Sequence, residues 1–181
     1  AIIQKTEDGF AVSAENPVAN MAGDQAYPAV AYGGGDVVVA FQDNRNHGST
    51  FSPDIHGARL DVTTDAFSIL EEAFVIASHE SPVERSNYGI GHPALGTEGQ
   101  RIMAAWEFPR SVQPEGDGDV LWDIHAGLLQ TTDSTTSNPN GGLVGTSVQR
   151  FNDEMNPAVA FDGNNYFVVW QDARTEEEDE Y

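Results

Sequence analysis

Short apolar runs broken by Gly, Asn and Asp turns recur along the chain, at the length of strands rather than helices. Three segments line up. The first is Tyr27-Pro28-Ala29-Val30-Ala31-Tyr32, a glycine-rich turn, then Asp36-Val37-Val38-Val39-Ala40-Phe41-Gln42-Asp43-Asn44-Arg45. The second is His92-Pro93-Ala94-Leu95-Gly96, a turn, then Arg101-Ile102-Met103-Ala104-Ala105-Trp106-Glu107-Phe108-Pro109-Arg110. The third is Asn156-Pro157-Ala158-Val159-Ala160-Phe161, a turn at Asp162 to Asn165, then Tyr166-Phe167-Val168-Val169-Trp170-Gln171-Asp172-Ala173-Arg174. In each, the large aromatic (Phe41, Trp106, Trp170) lies 13 positions after the proline and the arginine (Arg45, Arg110, Arg174) lies 17 after it. Each segment reads as a β-hairpin with a β-branched second strand ending in an aromatic.

A second half follows in the first two units. Asp54-Ile55-His56-Gly57-Ala58-Arg59-Leu60 matches Asp123-Ile124-His125-Ala126-Gly127-Leu128-Leu129. Polar turns come next, at Asp61 to Asp65 and Gln130 to Asp133, and then a further strand, read at Ala73 to Ala77 and at Leu143 to Val148. That makes four strands per unit, with the prolines 65 and 64 positions apart. Repeated four-stranded antiparallel units of this length predict an all-β chain of β-propeller blades. No long window has a helical apolar period, and 18 glycines and 9 prolines punctuate the chain.

The ends divide one unit between them. Ala1-Ile2-Ile3-Gln4-Lys5-Thr6-Glu7-Asp8 resembles Leu128-Leu129-Gln130-Thr131-Thr132-Asp133, while the third unit stops after its first hairpin. The expected organisation is therefore the back half of a blade at 1–26, blades at 27–91 and 92–155, and the front half of a blade at 156–181. About three blade equivalents are too few for a ring, which usually takes about four to eight. Two readings stay open: a segment of a longer propeller, or two chains that complete each other's split blade.

Charge and composition narrow the partners. The 181 residues carry 8 Lys+Arg against 29 Asp+Glu, a formal charge of −21, and Lys5 is the single lysine. Such a surface repels phosphate, so nucleic acids and anionic membranes are poor partners, whereas a salty environment would screen its self-repulsion. With no cysteine, disulfides, thiolate metal sites and cysteine nucleophiles are excluded. Apolar runs such as Val37 to Phe41 are too short for helical membrane insertion.

The pattern Pro-Ala-Val-Ala-Tyr, Val-Val-Trp-Gln-Asp-x-Arg and Asp-Ile-His-Gly-Ala-Arg-Leu resembles the repeats of secreted and cell-surface β-propeller proteins of bacteria and archaea, which read NPAVAYDG, VVWQDNR and DIYGQRL. The resemblance covers nearly the whole chain. It implies an extracellular or cell-surface location and a scaffold, adhesion or ligand-binding role. The second unit departs from it, with Glu107-Phe108-Pro109 in place of Gln-Asp-x. The Ser-x-Asp-x-Gly-x-x-Trp box of sialidase-type propellers is missing, as is the WD40 pairing of Gly-His and Trp-Asp at fixed blade positions.

Several residues could carry chemistry. Asp43 with Arg45, and Asp172 with Arg174, follow a strand end, where carboxylate and guanidinium can clamp a loop. Asp54/His56 and Asp123/His125 share a strand face at i, i+2 and suggest metal binding or base chemistry, against the plainer reading of a polar strand entrance. Glu115, Asp117 and Asp119, spaced by glycines, form a candidate calcium site of hard oxygens, and 176–180 is a run of five acids. Trp106 and Trp170 hold the repeated aromatic position and read as blade core, leaving Trp122 as a candidate surface contact. The expected function is a non-catalytic extracellular module for binding, adhesion or assembly that requires no cofactor, with calcium as a candidate ion. Its expected partners are further blades of the same protein or a second copy, and a protein or glycan ligand. The rivals are a propeller-type glycan-acting hydrolase using channel carboxylates, and a filament subunit completed by strand exchange.

Overall fold

A computed structural model describes residues 1–13, 15–45, 53–63, 66–78, 89–111, 120–130, 142–144 and 153–173. All regular elements among them are strands: β1 (Ile3–Thr6), β2 (Gly9–Val12), β3 (Gln25–Gly33), β4 (Asp36–Asp43), β5 (Asp54–Val62), β6 (Phe67–Ala77), β7 (Gly91–Thr97), β8 (Arg101–Ser111), β9 (Val120–Gln130), β10 (Gly142–Leu143), β11 (Glu154–Phe161) and β12 (Tyr166–Asp172). They form four antiparallel sheets of two, four, four and two strands in chain order: β1-β2, β3-β4-β5-β6, β7-β8-β9-β10 and β11-β12. None of these sheets closes on itself; each is an open meander.

Local chemistry sets the hairpins. Between β3 and β4 the chain turns at Gly34 and Gly35, both at positive φ, where a Cβ would be penalised. Each of β3, β7 and β11 carries a bulge near its start, at Ala26/Ala29, Gly91/Ala94 and Met155/Ala158. Within it the residue before proline is left-handed: Tyr27 (φ 49), His92 (φ 45) and Asn156 (φ 55). A residue before proline is normally driven to extended backbone, so each position stores strain of roughly 1–3 kcal/mol that its surroundings must offset. The bulge shifts the strand's phase and turns these three side chains out of the regular alternation.

The first strands gather the sheets. β7 packs against β3 on one side and β11 on the other. Gly96 permits the second contact at its present spacing, because a Cβ there would stand 2.5 Å from Cγ1 of Val159. The core lies between the two four-stranded sheets: Ala40, Ile55, Ile76 and Ala77 meet Ile90, Ala104 and Trp106, and Val38 meets Ile102 and Leu129. Each large aliphatic side chain buried there contributes about 1.5–3 kcal/mol. Phe74 reaches this core by lying over Gly57, where a Cβ would come within 2.6 Å of its ring.

The fourth strand of the first four-stranded sheet is longer than the sequence pattern suggests. It starts at Phe67 rather than Ala73, pairing Phe67 with Val62 and Ile69 with Leu60. The left-handed Ala73 (φ 61) and the register shifts opposite it break the alternation midway, so only the part after the bulge reads as a strand. In the next sheet β10 is Gly142–Leu143, and most of the strand read at Leu143 to Val148 lies outside the described residues.

Candidate functional site

The most constrained polar cluster lies where β7, β8 and β11 meet. Glu107 sits on β8, almost fully buried. One of its oxygens, Oε2, is 2.5 Å from Nδ1 of His92, and the other, Oε1, accepts the backbone N–H of Asn156 at 2.7 Å. The carboxylate only accepts, so the His92 proton resides on Nδ1 and its half-exposed ring turns Nε2 away from the pair. Tyr27 lies edge-on to the same imidazole, with ring centroids 4.0 Å apart. Asn156 donates through Nδ2 to Oε1 of Gln171 at 3.1 Å. Thus the three left-handed positions that precede a proline, from three sheets, are joined by one carboxylate and one imidazole.

Gln42 and Gln171 stand, like Glu107, 14 positions after their proline. Gln42 is buried beside Gly91, and its Oε1 has no hydrogen-bond partner among the described residues. The one carboxylate of this set is the one with two donors to satisfy, as a buried charge requires. An imidazole oriented by a carboxylate can accept a proton or a ligand contact at Nε2. No group of three His, Asp or Glu able to hold a metal occurs among the described residues.

The residues singled out from the sequence fall elsewhere. Asp43 ends β4, where its Oδ1 accepts the backbone N–H of Arg45 at 2.8 Å and its Oδ2 pairs with the Arg45 guanidinium. The guanidinium also reaches the sulfur of Met21. Burial pushes the Asp43 carboxyl upward, but the bonds and charge of Arg45 outweigh it and hold the group below its ordinary value. Asp172 stands opposite Glu154 at the end of β12, and Arg174 lies outside the described residues. Trp106 is completely buried, whereas Trp170 is half-buried.

Asp54 and His56 are buried on β5, and Nδ1 of His56 donates to the carbonyl of Ala73 at 3.1 Å, the carbonyl that the left-handed turn presents. His125 stacks on Phe108 at 4.3 Å. The two histidines stand opposite Phe41 and Trp106 in the ladders, inside separate sheets. Trp122 is half-buried and its backbone N–H donates to Asp153. Glu115, Asp117, Asp119 and the acidic run at 176–180 lie outside the described residues.

A second feature is apolar. On the β3–β6 sheet the ladder rows Val30–Val39–Ala58 and Tyr32–Val37–Leu60 share one face. Exposure falls across them, from 65% and 64% at Val30 and Tyr32 to 0% and 4% at Ala58 and Leu60. At the other end of the stack Phe167 and Val169 on β12 are 52% and 62% exposed, with Ala160 and Ala158 exposed beside them in the ladder. The corresponding places on β4, Val38 and Ala40, are 1% and 0% exposed because the next sheet covers them. No family model, curated protein or solved structure matches the chain.

Proposed function

We propose that the chain is a segment of an extracellular β-propeller that acts as a non-catalytic module for binding, adhesion or assembly, joined to further blades of its own protein or to a second copy. The observation that carries this reading is the apolar face left open at each end of the stack. Exposed contiguous apolar surface on a strongly acidic chain marks a surface that another body covers, and the β1-β2 hairpin, with Ile3, Phe10 and Val12 exposed, is a further such surface. The gathering of β3, β7 and β11 side by side, and the bulge with a left-handed residue at the same point of each, support blades arranged about their first strands.

The hydrolase reading has less support. Both oxygens of Glu107 accept hydrogen bonds from the fold itself, so this carboxylate ties sheets together instead of facing a ligand. The module role requires no cofactor, and calcium at Glu115, Asp117 and Asp119 would act as a structural ion. Static light scattering across protein concentration, with calcium or chelator present, tests the proposal. A mass rising above one chain is expected where a second copy covers the open faces, and a monomer at every concentration would contradict that assembly and leave only further blades of the same protein to cover them. A mass that falls with chelator would assign calcium to the assembly.

A further inference from the structure

Resting on that reading, we infer that the partner is a second copy of this chain, whose β3 face covers β11-β12 of the first. The two open faces repeat the two sides of a contact that the molecule already makes inside itself. Between the second and third sheets, β7 presents Gly96 to Val159 of β11, and Glu107 accepts the N–H of the left-handed Asn156. Carried one unit on, Ala160 takes the place of Gly96, Gln171 that of Glu107, Val30 that of Val159 and Tyr27 that of Asn156; an alanine already holds this place between the first and second sheets, where Ala31 and Leu95 both pack against Val38, Ile102 and Leu129. Ala160 and Gln171 are exposed on one end face, Val30 and Tyr27 on the other.

The shapes agree as well. On the β3–β6 sheet Ala58 and Leu60 of β5 are covered, and the opening lies at the β3 edge over β3 and β4, with Ile69 of β6 exposed again beyond β5. The end face that must fill it is the two-stranded β11-β12. Seated there, β12 offers the edge away from β11 to β1 of the copy, in the antiparallel sense of β8 with β9. The β8-β9 pairing of Ile102 with Leu129 then sets Tyr166 opposite Ile3. The sheet order becomes β11-β12-β1-β2, four strands like its neighbours. Front and back are different surfaces, so the contact is head to tail and either closes as a pair or grows.

The chain has no cysteine, which makes cross-linking decisive. The contact to imitate is that between position 96 and Val159, whose Cβ atoms would be 3.2 Å apart, close to disulfide reach. A chain carrying Val30→Cys is mixed with one carrying Ala160→Cys under mild oxidation; both positions are exposed, so neither change disturbs the core. A disulfide-linked heterodimer at a yield at least tenfold above that of the control pair Val62→Cys with Ala160→Cys is expected. Equal yields from the two pairs, or no heterodimer, would overturn the inference. Wild-type mass separates the two claims: an oligomer that fails to cross-link sinks this face alone, and a monomer sinks the assembly reading with it.

Discussion

The interior junction of the two four-stranded sheets and the two end faces are built from the same positions, yet one is dry and the other open. Val38 and Ala40 disappear under the next sheet, while Phe167 and Val169, at the same distance from their proline, meet solvent. The difference lies in neighbours rather than in composition, since all four are apolar residues on a second strand. A strand with one face packed normally places polar residues on the other, so apolar residues on both faces of β12 belong to a strand built for two neighbours. On the proposed reading this exposure marks where another body sits, which makes the end faces informative about function.

Substitutions at matched positions should separate interior from end. Trp106→Ala removes the largest fully buried side chain and should cost about 3–5 kcal/mol in denaturant unfolding. Trp170→Ala, at a half-buried site, should cost less than half as much in dilute solution. Equal losses would break the comparison. At the polar positions, Glu107→Ala leaves the Asn156 N–H and His92 without their acceptor and should cost about 1.5–3 kcal/mol. Gln171→Ala should change the unfolding of dilute chains by less than about 0.5 kcal/mol, while weakening association.

A smaller effect sharpens the role of close packing in the interior. Gly57→Ala drives a methyl into the Phe74 ring and should lower stability by about 1–3 kcal/mol in thermal unfolding, and Phe74→Leu in the same chain should recover part of it.

The smallest effect is electrostatic. Because the Asp43 carboxyl is held below its ordinary value, its contribution is present above roughly pH 4 and is lost as the pH falls through the depressed value. The stability gap between wild type and Asp43→Asn should therefore be widest near neutrality and close below about pH 4. A gap that is flat with pH would show that Arg45 does not hold the carboxylate.

Much of the sheet organisation was legible because the proline, aromatic and arginine offsets mark each hairpin independently of burial. The strand over Phe67–Ala77 was half missed, since the left-handed Ala73 shifts the phase of side chains and two adjacent glutamates, Glu71 and Glu72, interrupt the apolar pattern. The Glu107 cluster was not legible as a cluster. Its bonds join residues 15 and 49 positions apart and depend on the left-handed backbone before each proline, which ordinary preference argues against. A signal was nonetheless present, because Gln42, Glu107 and Gln171 recur at one offset and only Glu107 is charged. The exposed faces could not be read from the strand patterns alone, because apolar residues on both sides of a strand say that neighbours are expected without saying which are present.

The central claim, that a second copy covers the end faces, is tested most directly by backbone hydrogen exchange of the wild-type chain at increasing concentration. The account predicts that amides of β3, β12 and β1 slow by at least tenfold as the mass rises, while those of β8 and β9, already inside the ladder, keep their rates. Exchange at β3, β12 and β1 that stays fast while the mass rises would contradict it.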